Sequence, residues 1–116
     1  LEQSNYQTRT ALSYITQKIH QNDLIDSVSL QQIDQKDVLV LKSSYSQGKY
    51  TTYLYEDKGY LKELFISNQL KFDKDDGKKI MPVSHLKIQQ INPYLYHFSC
   101  IVDHKEINTN VAIQSK

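Results

Sequence analysis

The sequence is poor in the residues that build covalent or phosphate-binding sites. Among its 116 residues there is one cysteine, Cys100, so no disulfide can form within the chain and no cysteine-built metal site can be completed. The three glycines, Gly48, Gly59 and Gly77, lie too far apart to form a phosphate-binding loop. No apolar run approaches the roughly 20 residues that a membrane-spanning helix needs. These absences leave a small globular domain as the simplest interpretation.

Charge is almost balanced, which argues against a nucleic-acid partner. The chain has 14 basic and 13 acidic residues and a net charge of +1. Nucleic-acid-binding domains usually carry a strong basic excess on one face, and none is expected here. The length fits a single domain, 1–116, which we divide into a helix at 1–23 and a β-sheet region at 24–116.

One segment has the periodicity of an amphipathic helix. Within 5–22, apolar residues recur at spacings of three and four and form one stripe, while the opposite side is polar. Asn22 and Asp23 follow as plausible stop residues. The predicted structural stripe consists of Ala11, Leu12, Ile15 and Ile19. This stripe is the obvious cover for the apolar face of a sheet.

After Leu24 the pattern changes to a period of two, which is typical of strands. The predicted strands are 28–33, 38–43, 50–56, 60–67, 86–91, 94–103 and 106–114. The segment 70–79 is charged and contains Gly77, so we expect a solvated loop there. Short turns between strands imply antiparallel pairing. The predicted fold class is therefore α+β, with an N-terminal amphipathic helix packed on a mostly antiparallel, roughly seven-stranded sheet.

No set of residues indicates catalysis. Cys100 lies in mid-strand, where a thiol usually acts as a small buried apolar group, and the four histidines lack the spacing of a zinc site. Asp73, Asp75 and Asp76 resemble a calcium loop only superficially, because the spacing is wrong and lysines surround them. Two of the acidic residues could still meet in the fold as an acid–base pair, although nothing in the pattern points to one. We predict no enzymatic activity, no cofactor and no bound metal.

Tyrosine is unusually frequent in one region, and two interpretations remain open. The crowded tyrosines that we consider as a possible partner surface are Tyr50, Tyr53, Tyr55 and Tyr60. Exposed tyrosines contribute both contact area and a hydrogen bond, so such a surface suits a protein or sugar partner. Aromatic pairs across strands also stabilise a sheet without any ligand.

Two motifs resemble the soluble part of type IV pilin-like proteins. The first is an Arg-x-Ala-x-x-Tyr-Ile helix with an aspartate at its exit: Arg9, Ala11, Tyr14, Ile15 and Asp23. The second is a hairpin with Tyr-x-Tyr, a glycine and Leu-x-Glu-Leu: Tyr53, Tyr55, Gly59, Leu61, Glu63 and Leu64. The resemblance is greatest to an uncharacterised pilin-like family of Gram-positive bacteria, related to minor pilins and pseudopilins, and it extends over most of the chain.

The resemblance implies a non-enzymatic subunit of a pilus, competence or secretion pseudopilus, with other pilin-like subunits as partners. It implies a cell-envelope or extracellular location and anchoring in the cytoplasmic membrane before assembly, through an apolar helix segment that would precede Leu1. The disulfide loop of many major pilins is missing, which favours a minor pilin or pseudopilin. An extracytoplasmic module that binds a small ligand or a glycan through a tyrosine-rich sheet is the alternative.

Overall fold

The computed structural model describes residues 2–21 and 27–113, with side chains from residue 11 onward. These residues form one helix, eight strands and a short 3₁₀ turn. The elements are α1 (Glu2–Gln21), β1 (Val28–Ile33), β2 (Lys36–Tyr45), β3 (Gly48–Asp57), β4 (Tyr60–Ser67), the 3₁₀ turn (Lys74–Asp76), β5 (Lys78–Pro82), β6 (Ser84–Asn92), β7 (Leu95–Val102) and β8 (Lys105–Ala112). Asn22, Asp23 and Gln114, which the sequence assigned to the helix stop and the last strand, lie outside the described residues.

The fold class predicted from the sequence is wrong. Within 27–113 the eight strands form two antiparallel sheets, β1-β2-β3-β4-β5 and β6-β7-β8, in place of one sheet of about seven strands. The chain is therefore mainly β, not an α+β domain built from one helix and one sheet. The predicted helix forms, but it does not cover a single sheet alone, because the inner side of the five-stranded sheet shares its core with the three-stranded sheet.

Two features at one point of the chain explain the division into two sheets. β5 was not among the predicted strands; its first two residues, Lys78 and Lys79, were expected in the loop 70–79, and it pairs with β4 across a register shift. Pro82 ends β5 and has no N–H with which to continue the ladder. Val83 then donates its N–H to the Gly59 carbonyl at 3.1 Å, and β6 begins one residue later in the other sheet. His85, at φ 54°, adds a further irregularity at the start of β6.

The hairpins depend on residues in the left-handed backbone region. Asp34 and Gln35 have φ of 53° and 66°, and Lys58 and Gly59 have φ of 53° and 82°. Positive φ at both central residues is the signature of the two-residue turn whose twist matches that of the strands. The hairpin predicted at Gly59 is confirmed, and β4 occupies the predicted residues 60–67.

The five-stranded sheet buries apolar side chains on both faces. We call the face that meets α1 and the three-stranded sheet the inner face, and the opposite one the outer face. The inner face contributes Leu39, Leu41, Leu54 and Leu61 to the main core. The outer face has a second, smaller cluster, formed by Val38, Val40, Tyr55 and Leu64. A strand that is buried on both faces has a continuous run of apolar residues, and β2 has such a run at 38–41.

The helix takes part in the main core through one side. Ala11, Ile15 and Ile19 are at most 2% exposed, and Leu12 is half-buried beside them. In the three-stranded sheet, β7 and β8 are the strands that approach α1, and they bring Tyr96, Phe98 and Val111 to the same core. The two sheets are also tied by a hydrogen bond from the Ile88 N–H to Asp37 Oδ2 at 2.9 Å. The predicted stripe residues therefore lie where one helix meets both sheets.

Candidate partner-binding surface

The tyrosines grouped by the sequence are divided between the two faces of the five-stranded sheet. Because side chains alternate along a strand, Tyr50 points to the inner face while Tyr53 and Tyr55 point to the outer face. Tyr60 shares the outer face, where the Lys79 ammonium lies 4.6 Å from the centre of its ring. The four residues do not form one surface.

Tyr50 instead belongs to an exposed group that we call the aromatic patch, defined by Tyr45, Tyr50 and Phe65. The rings of Tyr50 and Phe65 stack with centroids 5.1 Å apart, and Tyr45 meets Tyr50 edge-on at 5.8 Å. Tyr45 is 54% exposed and Phe65 48% exposed, so the patch has a large apolar surface open to solvent. It occupies the end of the inner face that the main core leaves uncovered. Exposed aromatic groups of this kind often mark protein or ligand contacts.

A polar clasp beside the patch joins the helix to the sheet. The Glu63 carboxylate accepts a hydrogen bond from the Tyr14 hydroxyl and pairs with the Lys18 ammonium at 3.2 Å. Burial raises the pKa of Glu63, and the nearby positive charge of Lys78 opposes this shift only in part. A groove of about 410 Å³ runs between this clasp and Phe65. The clasp, the groove and the aromatic patch therefore form one continuous surface at the junction of α1 and β4.

The outer face is closed by a loop, which we call the covering loop and define as residues 68–77. Its Phe72 ring packs against the rings of Tyr53 and Tyr55, at centroid distances of 4.8 and 5.0 Å. The Tyr55 hydroxyl donates a hydrogen bond to the Lys74 carbonyl at 2.8 Å. Burial raises the pKa of Tyr55 to about 12. Tyr53 and Tyr55 are thus used in packing and hydrogen bonding and do not form a free partner surface.

A buried ion pair lies beneath the covering loop. The Lys62 ammonium is 2.7 Å from Asp57 Oδ2, and both side chains are less than 10% exposed. Lys62 also donates to the Lys74 carbonyl at 3.3 Å, so one carbonyl of the loop accepts from both Lys62 and Tyr55. The hydrogen bond from Lys62 is the main cause that lowers the pKa of Asp57. The loop is held by polar contacts that were not evident from its charged sequence.

Gly77 packs so closely against Tyr55 and Lys62 that it has no room for a side chain. A substitution at Gly77 should therefore destabilise the domain. An added Cβ at Gly77 would collide with the Tyr55 hydroxyl and lie 2.9 Å from Tyr55 Cζ and 3.1 Å from Lys62 Cβ. We expect Gly77→Ala to lower the free energy of unfolding by about 1–3 kcal/mol, the usual cost of overpacking. Denaturant unfolding of the purified domain measures this loss. Tyr55→Phe removes the colliding oxygen, so Gly77→Ala should cost less in that background, and an equal cost in both would contradict the collision.

The other candidate chemical groups are dispersed. Cys100 is 2% exposed, and burial raises the pKa of its thiol to about 11. His85 and His104 lie at a strand irregularity and in the β7–β8 turn, and His97 contacts the Asn110 amide oxygen at 2.5 Å. Within the described ranges, no three metal-ligating side chains converge. A cavity of about 90 Å³ lies between the covering loop and the β1–β2 turn, well below the usual size of a small-molecule site.

The acidic residues of the covering loop have a local structural role. Asp73 accepts a hydrogen bond from the Asp75 N–H at 2.9 Å and so caps the 3₁₀ turn. Asp75 and Asp76 are exposed. Phe72, the apolar anchor of the loop, was missed by the sequence reasoning because it stands alone among charged residues. To place Phe65 beside Tyr45, one must know the register of β2, β3 and β4, which the sequence alone does not provide.

A known protein family matches most of the residues that form this fold. A family model described as a domain of unknown function (DUF4860) matches residues 6–103, which run from α1 to the end of β7. The chain belongs to this family. The DUF4860 match includes the stripe residues of the helix, the clasp and the aromatic patch, while β8 follows the matched residues. No curated protein and no solved structure matches the chain. In the part of the chain that the structure describes, no helix is both long and apolar enough to cross a bilayer.

Proposed function

We propose that this chain is a non-enzymatic assembly subunit of the minor pilin or pseudopilin type, contributing to a pilus, competence or secretion pseudopilus. The observation that carries the proposal is the way the helix is fixed to the β region. Ile15 and Ile19 are buried in the main core, and Tyr14 and Lys18 bind Glu63 on β4. A subunit that assembles through its helix needs such a rigid joint, because force or packing applied to the helix must reach the rest of the domain.

The aromatic patch supports the same proposal. It lies next to the clasp, so a neighbouring subunit that packs along α1 would also reach Phe65 and Tyr45. Their exposed rings supply apolar area of the kind that is enriched in the centres of protein interfaces. The partners under this proposal are other pilin-like subunits. The location is the cell envelope or the exterior, with anchoring in the cytoplasmic membrane before assembly.

The test uses the full-length native protein, tagged and produced in its native host. We expect it to appear in the filament fraction sheared from the cells, and to disappear from that fraction when the prepilin leader peptidase is absent. The double variant Tyr45→Ser/Phe65→Ser should be processed normally but incorporated poorly. Ile91→Ser is the matched control, because Ile91 is 49% exposed but belongs to the other sheet. Recovery only as a free secreted protein, independent of the leader peptidase, would refute the assembly role.

The aromatic patch also favours one second candidate, an extracytoplasmic module that binds a glycan. Sugar rings stack on exposed aromatic faces, and Tyr45 and Phe65 provide such faces. The chain has nine tyrosines and no tryptophan, so the isolated domain emits tyrosine fluorescence, to which Tyr45 and Tyr50 of the patch contribute. Saturable quenching by a purified envelope polysaccharide, lost in Tyr45→Ser/Phe65→Ser and kept in Ile91→Ser, would support this module. Failure of all envelope polysaccharides to quench would exclude it.

A further inference from the structure

The outer edge of β8 offers a row of backbone groups for hydrogen bonding. β8 pairs with β7 from Lys105 to Ala112 without a register shift, and the Ile113 N–H continues the ladder to the Tyr94 carbonyl at 2.7 Å. In an antiparallel pair, alternate residues direct both backbone groups toward the partner strand. The residues that alternate with Ile113 therefore point their N–H and C=O groups away from β7. They are Glu106, Asn108, Asn110 and Ala112. None of these four has a backbone partner within the described residues.

Of the four edge strands, β8 is the longest that pairs without a register shift, and its two charged residues, Lys105 and Glu106, stand together at its start. β5 has five residues, including Lys78, Lys79 and Pro82, and its pairing is shifted. β6 has two register shifts and the left-handed His85. β1 has six residues, against eight in β8. Natural proteins usually protect exposed edges with short strands, charges, prolines or bulges, because a flat edge is a template for another strand. An eight-residue, regular and proline-free edge indicates a strand partner.

The sequence of β8 is complementary to itself. If two copies pair antiparallel about a two-fold axis at Thr109, the strands overlap over 106–112, and the residues whose backbone groups point away from β7 lie opposite one another. Ile107 then lies opposite Val111 of the second copy, on the side that continues the core. On the exposed side, Asn108 lies opposite Asn110 and Glu106 opposite Ala112. No two like charges lie directly opposite each other. Such pairs would weaken the association.

We propose that β8 is a self-association edge, through which two copies of this chain pair about Thr109 and join their three-stranded sheets into one continuous antiparallel sheet. A two-fold interface of this kind is closed and uses the same patch on both copies. The proposal is independent of the assembly function above, since it concerns the isolated domain in solution and does not use α1 or the aromatic patch.

The first test uses single cysteines placed by the register. In Thr109→Cys the two introduced thiols face each other across the axis, at a Cα separation of about 4.5 Å, which suits a disulfide. In Glu106→Cys, the matched control on the same strand, the two thiols lie about 20 Å apart. Cys100 is 2% exposed and remains in both variants. Under mild oxidation we expect a covalent dimer from Thr109→Cys, and none from Glu106→Cys or the unmodified chain.

The second test removes one outward N–H. Asn110→Pro takes away the N–H that donates to the Asn108 carbonyl of the second copy, while the bonds from β8 to β7 are kept. Two such bonds are lost per dimer, so the dissociation constant should rise about tenfold or more in sedimentation equilibrium. Asn110→Ala is the control, because it also loses the contact with His97 but keeps the N–H. The dissociation constant of Asn110→Pro should exceed that of Asn110→Ala, a comparison that allows for the loss of the Asn110 side chain opposite Asn108.

Several results would overturn the proposal. A chain that stays monomeric at the highest attainable concentration, with Thr109→Cys folded and unlinked, would show that β8 does not pair with itself. Equal cross-linking of Glu106→Cys and Thr109→Cys would show that the register is wrong. A dimer that is unchanged by Asn110→Pro, with circular dichroism showing a native sheet, would place the interface elsewhere.

Discussion

Replacing Ile15 by aspartate is expected to remove most of the stability of the domain. Ile15 is 2% exposed within the main core, so the variant loses an apolar side chain and places an unpaired carboxylate among apolar groups. We expect a loss of more than about 4 kcal/mol, which is large against the roughly 5–15 kcal/mol typical of a whole domain. Urea unfolding followed by circular dichroism measures the change.

Ser13→Asp is the matched control for this prediction. Ser13 lies on the same helix but is exposed, so the same new charge should change the free energy of unfolding by less than about 0.5 kcal/mol. If Ile15→Asp unfolds at the same urea concentration as the unmodified chain, α1 does not contribute to the core as described, and the rigid joint required by the assembly proposal is lost with it.

The second large effect is expected at the ion pair beneath the covering loop. Asp57→Ala leaves the Lys62 ammonium buried, and among the described residues the Lys74 carbonyl is then its one remaining acceptor. Removing one member of a buried pair is strongly destabilising, and we expect a loss of roughly 3 kcal/mol in the free energy of unfolding. The double variant Asp57→Leu/Lys62→Met should recover most of that loss, since it leaves no buried charge unpaired. A double variant as unstable as Asp57→Ala would mean that the charges themselves do not cause the defect.

The same pair gives the domain a pH dependence with a defined sign. The hydrogen bond from Lys62 lowers the pKa of Asp57 in the folded state below its unfolded value, which is near 3.9. The stabilisation is therefore complete above about pH 4 and is lost as the pH falls through the folded pKa. Denaturant midpoints measured across the acid range should fall less steeply in Asp57→Leu/Lys62→Met than in the unmodified chain. Parallel curves would exclude Asp57 as a source of the acid sensitivity.

Local patterns were sufficient to predict the helix and several strands. The spacing of Ala11, Ile15 and Ile19 identifies the buried side of α1, and Gly59 marks a hairpin whose second strand, β4, has the predicted bounds. These features depend on residues that are close in sequence. Period and turn chemistry therefore carry enough information to locate them.

The arrangement of the strands depends on information that local patterns do not contain. β5 lies in a segment rich in lysine, and its pairing with β4 is decided by neighbours some 20 residues away. The two-sheet division depends on Pro82 and Val83, which also fit an ordinary loop. The grouping of Tyr50 with Tyr53 and Tyr55 ignored strand alternation, which assigns them to opposite faces. The exposed aromatic patch instead combines Tyr50 with residues from two neighbouring strands.

The position of α1 in the core has a consequence for the order in which the molecule folds. The sheet β1–β5 is a meander of neighbouring strands, so its contacts are local and form early. Among the described elements α1 is synthesised before all the strands, whereas β7 and β8, which also approach it, follow the five-stranded sheet. Ile15 and Ile19 therefore lack part of their final neighbours until β7 and β8 have left the ribosome. During that interval the nascent chain exposes the apolar side of an amphipathic helix, which is the kind of surface that chaperones recognise.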